Sequence, residues 1–230
     1  AMRESVTSMS GLPGKIPEYI VVEGPMGVGK SSLASRLAKR LNADILFEQP
    51  QENPFLERFY KSREKYALPT QLHFLFQRVQ QMKSMKQRDL FRSAVVGDFL
   101  LEKDRLFAQL NLETDELALY EQIYRHLSPE LPRPDLVIYL QAPVAVLLKR
   151  IRRRGIVSEQ DIHGDYLRSL CDIYSQFFHS YSRSPLLVVN AESINYVDNA
   201  EDFDMLLEHI LRIKSGRHYF NPLSRQDLWK

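Results

Sequence analysis

Nine consecutive residues carry the most specific chemistry in the chain. Gly24, Pro25, Met26, Gly27, Val28, Gly29, Lys30, Ser31 and Ser32 lead from an apolar run into helix-forming sequence. Within them Gly24, Gly29, Lys30 and Ser31 satisfy G-x-x-x-x-G-K-[ST], the P-loop pattern. Glycines at this spacing let backbone N–H groups curl around phosphate oxygens, and the helix that follows offers its positive end to the same anion. Lys30 then reaches toward the terminal phosphates of a nucleotide, and the Ser31 hydroxyl can ligate Mg²⁺. The pattern has this meaning only between a strand and a helix, and the flanking sequence supplies both.

Two acids have a related placement. Glu48 closes the run "ADILFE" and Asp98 closes "AVVGD". Ligands of open parallel sheets bind beyond the carboxyl ends of the strands, so the glycine loop, Glu48 and Asp98 are expected to converge. Beside a triphosphate, one such carboxylate can help hold a metal while the other accepts a proton from an attacking hydroxyl. A third group lies in "LLKRIRRRGIVSEQD", where Arg150 and Arg154 are four apart and share a helix face. Such arginines can close as a lid over transferring phosphates and exclude water, although a solvated basic helix end has the same composition. N-K-x-D and L-S-G-G-Q are absent, which turns the reading from GTPases and transporter ATPases toward small kinases.

Positioning these groups requires a sheet. Strands are predicted over 19–24, 43–48, 94–99, 135–140 and 185–190, each apolar enough to be buried on both faces. Leu33, Leu37 and Leu41 repeat at helical spacing after the glycines, as do Val144, Leu147, Leu148 and Ile151 after Pro143, with Gly155 ending that helix. At least one more long helix is expected between about 100 and 130, and another over 164–182. The alternation predicts an α/β P-loop kinase fold: a five-stranded parallel sheet flanked by helices, with a short arginine-bearing lid. One domain is expected over 18–214, between a flexible segment at 1–17 and a loosely held tail from 215 to 230.

Composition narrows the functional classes. The 230 residues are 44% hydrophobic and 26% charged, with a formal charge of +2, too balanced for a non-specific nucleic-acid binder. Cys171 is the single cysteine, so no intrachain disulfide forms, and it reads as a packed core or interface residue. The six histidines show no metal-ligand spacing. No apolar run reaches the ~20 residues that span a bilayer, and the first fifteen residues lack a signal peptide's apolar core, so a cytoplasmic protein is expected.

From about Tyr19 to about Asn190 these features resemble the deoxynucleoside kinases, a family that includes deoxycytidine, deoxyguanosine and bacterial deoxyadenosine kinases. "FEQPQENPFLERFY" is similar to the family segment that begins Glu-Pro-Val, and to bacterial members through Glu-Asn-Pro. The resemblance implies that Glu48 is the base that takes the proton of a nucleoside 5′-hydroxyl. It implies that Tyr60 and Glu159 bind the sugar 3′-hydroxyl, that Gln71 reads the base, and that Arg78 and Asp104 contact its far edge. Asp98 matches the acid that opens the family's acid-Arg-Ser motif, and Arg150 and Arg154 match two lid arginines. The chain departs from the family twice. Phe99 stands where most members have arginine, and Ile156 where they have a third lid arginine, which implies either a lower turnover or substitution by another cation such as Arg152, Arg153 or Arg105. ATP and Mg²⁺ are the implied cofactors and a homodimer the implied assembly. The implied reaction is phosphorylation of a deoxynucleoside, with deoxyadenosine first, deoxyguanosine and deoxycytidine next, and thymidine least suited. Three alternatives stay open: a nucleoside monophosphate kinase similar to thymidylate kinase, a P-loop nucleotide-binding module without useful turnover, and an ATPase acting on nucleic acid. The lack of a distributed basic surface counts against the last.

Overall fold

The computed structural model describes residues 17–87, 94–127, 131–156 and 159–222. The N-terminal segment before Pro17, Val157 and Ser158 of the lid stretch, and the tail beyond residue 222 lie outside the described residues.

Among the described residues six strands form one sheet: β1 (Tyr19–Glu23), β2 (Asp44–Leu46), β3 (Val95–Gly97), β4 (Leu136–Gln141), β5 (Leu186–Asn190) and β6 (Arg217–Phe220), in the order β2-β3-β1-β4-β5-β6. Every pairing is parallel. The connections are helical: α1 (Lys30–Leu41), α2 (Leu56–Lys61), α3 (Arg63–Gln87), α4 (Lys103–Asn111), α5 (Thr114–Leu127), α6 (Val144–Arg154), α7 (Gly164–Ser180) and α8 (Ala200–Arg212). The chain runs to one side of β1 for β2 and β3 and then crosses to the other for β4, β5 and β6. The switch in direction therefore falls at β1, and its carboxyl end leads into the glycine loop. None of the described helices is long and apolar enough to cross a membrane.

Apolar sequence explains the central strands. Every residue of β1 is buried, as are the first five of β4, because helices cover both faces of the sheet there. Leu33, Ala34, Leu37, Ala38 and Leu41 give α1 its buried stripe, and the helix stops where Asn42 turns left-handed at φ 52°. Gly155 ends α6 in the same way at φ 70°, as its place in the sequence predicts.

The two sheet edges differ from the sequence reading. β2 is only three residues long with Asp44 and Ile45 exposed, so "ADILFE" is an edge strand and not one buried on both faces. At the opposite edge the tail expected to be loose from Ser215 contributes the sixth strand: Arg217, His218, Tyr219 and Phe220 register with Leu186, Leu187, Val188 and Val189. An edge strand is covered on fewer sides, so a short and largely polar run suffices, and its apolar signal is correspondingly weak. Where at least one long helix is expected between about 100 and 130, the described residues hold two, α4 and α5, separated where Leu112 is extended.

A main core packs the sheet against α1, α7 and α8, and a second cluster joins α3, α4 and α5 through Leu75, Val79, Met82, Leu101, Ala108 and Tyr120. Phe99 belongs to this second cluster and is fully buried.

Candidate active site

The loop after β1 is shaped as a cradle. Gly24 has φ 154°, and a Cβ there would lie 2.5 Å from the Leu140 carbonyl oxygen. Gly29 has φ 102°, and a Cβ would lie 2.7 Å from the Tyr196 hydroxyl, which itself donates to the Val28 carbonyl at 2.9 Å. Side chains at these positions would collide with β4 and Tyr196 and force the loop out of this shape. Lys30 folds over the loop and donates to the carbonyls of Gly24 at 2.8 Å and Pro25 at 3.3 Å. Burial foremost, and then the like charge of Lys103, pull its pKa down to about 8.

Asp98 ties this loop to the second strand. Its Oδ2 accepts from the Ser31 hydroxyl at 2.6 Å and its Oδ1 accepts from the Glu48 backbone N–H at 2.8 Å. Burial, reinforced by the Glu48 carboxylate, raises its pKa. The predicted convergence of glycine loop, Glu48 and Asp98 is thus a direct hydrogen-bonded chain.

Glu48 sits between two cations. Its Oε1 accepts from Arg78, with Nε at 2.9 Å, and its Oε2 accepts from Lys103 Nζ at 2.8 Å. Burial opposes ionisation, but Lys103 and Arg78 outweigh it and hold the carboxyl well below the usual range. Arg78 also binds the Asp104 carboxylate, whose other oxygen accepts from the Tyr120 hydroxyl. Lys103 also faces Glu23, at 3.9 Å. Glu23 is fully buried at the end of β1 and accepts from Gly24 N–H and Leu100 N–H, each at 2.8 Å, and from the Tyr174 hydroxyl at 3.0 Å.

One cavity of about 590 Å³ collects most of the residues singled out in the sequence. Met26, Gly27, Lys30, Ser31, Glu48 and Asp98 line it, and so do Tyr60, Gln71, Arg78, Arg154 and Glu159. Arg154 binds Glu159 directly, and Tyr60 lies near enough to Glu159 that this carboxylate, after burial and Tyr166, helps raise its phenol's pKa. Phe74, Phe107 and Tyr166 add an aromatic lining, with Asn111 beside Tyr166.

Three placements differ from expectation. Asp104 is fully buried behind Arg78, off the cavity wall, with both carboxylate oxygens occupied; Gln71 Nε2 donates to its backbone carbonyl at 2.9 Å. Arg150 does not reach the cavity. Its guanidinium donates to the carbonyls of Ala191 at 2.8 Å and Val28 at 3.4 Å, alongside the glycine loop. None of the substitutes named for the missing arginines lines the cavity: Arg105 pairs with Glu121 at 2.9 Å, and Arg152 and Arg153 are exposed. The additional cation on the wall is Lys103, which the sequence reading passed over, as it did Glu23. Glu23 had a signal, being an acid in an otherwise apolar strand. Lys103 had none.

A family model described as deoxynucleoside kinase matches residues 20–214. Among curated relatives, a deoxyguanosine kinase of Bacillus subtilis (strain 168) is 30% identical over 197 residues, covering 84% of this chain and 95% of that protein. A deoxyadenosine kinase of Dictyostelium discoideum is 32% identical over 194 residues, covering 79% of this chain and 78% of its own. Among solved structures, deoxyadenosine kinase from M. mycoides with bound dATP is 26% identical and superposes with a TM-score of 0.73, covering 84% of this chain and 98% of that one.

Proposed function

We propose the following reaction for this chain, which belongs to the deoxynucleoside kinase family: transfer of the γ-phosphoryl group of ATP, with Mg²⁺, to the 5′-hydroxyl of a deoxynucleoside, deoxyadenosine before deoxyguanosine or deoxycytidine. The family is one of enzymes, so a nucleotide-binding module without turnover is the weaker reading. The observation that carries the proposal is Glu48, whose carboxylate shares one cavity with Lys30 and Ser31 of the glycine loop and with Tyr60, Gln71 and Glu159.

The donor's phosphates would lie in the glycine cradle, held by its N–H groups and by Lys30. Ser31 and Asp98, a hydroxyl and a carboxylate already in contact, fit a divalent cation. Bound there, Mg²⁺ would neutralise charge on the phosphate oxygens. Glu48 accepts the proton of the 5′-hydroxyl as that oxygen bonds to the γ-phosphorus; the bond to the β,γ-bridging oxygen breaks, and ADP leaves with the electron pair. Tyr60 and Glu159 hold the 3′-hydroxyl, and Arg154 closes over the site from the end of α6.

Gln71 with its Nε2 anchored on Asp104 keeps one N–H and its carbonyl for a base edge, which suits adenine and, equally, guanine. Guanine's 2-amino group needs a further acceptor, and Asp104, fully buried off the cavity wall, does not reach the base. That favours deoxyadenosine. Relatives named as deoxyguanosine and deoxyadenosine kinases agree with a purine. A homodimer packed through helices flanking the sheet is part of the proposal, supported by the exposure of Phe76 on α3 and Leu119 on α5, 52% and 48%.

The test is transfer from labelled ATP to four deoxynucleosides and to nucleoside monophosphates, compared as kcat/KM. Deoxyadenosine should lead and monophosphates should be inert; transfer to monophosphates, or a preference for thymidine, overturns the assignment. Glu48→Gln should keep ATP binding and lose ~10²–10⁴-fold in kcat.

A further inference from the structure

Lys103 opens α4 and is 4% exposed, with its Nζ 2.8 Å from Glu48 Oε2 and 3.9 Å from Glu23 Oε1. Phe99, Leu100 and Leu101 are buried just before it and fix the turn from which it projects. An ammonium at such depth is costly unless anions compensate it. Burial would drive Lys103 toward neutrality, but Glu23 and Glu48 outweigh it and keep it charged. Glu23 is already served by two backbone N–H groups and the Tyr174 hydroxyl, so the short contact goes to Glu48. Lys103 is also close enough to Lys30 for its charge to help depress that lysine's pKa. Two ammonium groups therefore converge where the glycine loop meets Glu48.

We infer that Lys103 is a positioning residue: its ammonium aims the Glu48 carboxylate at the acceptor hydroxyl. The inference rests on the reading of Glu48 as the base. Lys103 keeps its own proton throughout and supplies, from the first turn of α4, a cation that the buried Phe99 cannot. Glu48 is contacted by Arg78 from α3 and Lys103 from α4 through its carboxylate, and by Asp98, just after β3, through its backbone N–H. Arg78 divides its guanidinium between Glu48 and Asp104, so removing Lys103 leaves Glu48 with half of a shared cation.

The experiment compares the wild type, Lys103→Met, Lys103→Arg, Glu48→Gln and the Lys103→Met/Glu48→Gln double variant in kcat and KM, with melting curves for each. Lys103→Met should lose ~10²–10³-fold in kcat with KM for the nucleoside within about 3-fold, because preorganised charge acts on the transition state. Lys103→Arg should recover at least about 10-fold, and the double variant should be no more than about 3-fold slower than Glu48→Gln alone. A merely structural lysine would lower the melting temperature without this split between kcat and KM. Wild-type kcat in Lys103→Met, or additive losses in the double variant, overturn the inference. Glu48→Gln at the wild-type rate sinks the base reading itself and the inference with it, whereas an inactive Glu48→Gln beside an unaffected Lys103→Met sinks the inference alone. Should Lys103→Met not fold, Lys103→Gln replaces it under the same expectations.

Discussion

Asp104→Asn separates two roles for a residue that the family resemblance places at the base and the structure places behind it. The carboxylate is fully buried, paired with Arg78 and hydrogen-bonded by Tyr120. Breaking a buried pair by neutralising one partner costs about 3–5 kcal/mol. The amide keeps an acceptor for Tyr120, so the lower end applies, about 3 kcal/mol. In a domain of this size each kcal/mol moves Tm by about 2–4 °C, giving a drop of roughly 6–12 °C. Arg78 would then lean wholly on Glu48, and kcat should fall to a similar extent for every nucleoside. The assay pairs a calorimetric melt with kcat/KM for the four deoxynucleosides. If Asp104 instead reads an exocyclic amine, the substitution exchanges an acceptor for a donor at the base edge, shifting base preference by about 10-fold or more with little change in Tm. A Tm within about 2 °C of wild type together with such a shift would refute the placement argued from burial.

Two further outcomes follow from the same geometry. Lys30 must be protonated to attract phosphate, and its pKa near 8 in the free protein means that kcat/KM for ATP should fall as pH rises through about 8; Lys30→Arg, charged throughout, should abolish that limb even if its overall rate is lower, and a limb persisting in Lys30→Arg assigns it elsewhere. A 2′,3′-dideoxy substrate leaves the polar groups of Tyr60 and Glu159 unpaired at about 1–3 kcal/mol each, so its kcat/KM should drop at least about 5-fold, and Tyr60→Phe should remove much of that difference; equal use of both sugars by the wild type excludes the clamp.

How far the sequence discloses this site depends on whether a function is written in contiguous residues. The phosphate cradle is, because a single loop supplies the glycines, Lys30 and Ser31, and the geometry they need is local. The two acids are legible for a topological reason, since parallel strands deliver their carboxyl ends to one edge; Glu48 and Asp98 both lie just past the last residue of a strand. The acceptor side draws on α2, α3, α4, α6 and the lid, and only a family resemblance gathered Tyr60, Gln71, Arg78 and Glu159 in advance. Lys103 and Asp104 show the limit. In "LEKDRLF" both look like ordinary residues of a helix's first turn. Nothing local says that the turn is sunk between β1 and α3, with Lys103 reaching Glu48 and Asp104 sealed behind Arg78.

Helical spacing alone misleads in a comparable way at the lid. Arg150 and Arg154 share a face of α6, as their separation of four requires, but successive turns stand ~5.4 Å apart along the axis. Arg154, at the last turn before Gly155, clears the body of the protein and meets Glu159 at the cavity. Arg150, one turn earlier, lies against the glycine loop and spends its guanidinium on the carbonyls of Val28 and Ala191. Val28 O also accepts from Tyr196, whose hydroxyl sits where a side chain on Gly29 would be. Arg150 and Tyr196 therefore bind one carbonyl of the glycine loop from outside, and the loop's shape is held in part by residues that do not line the cavity.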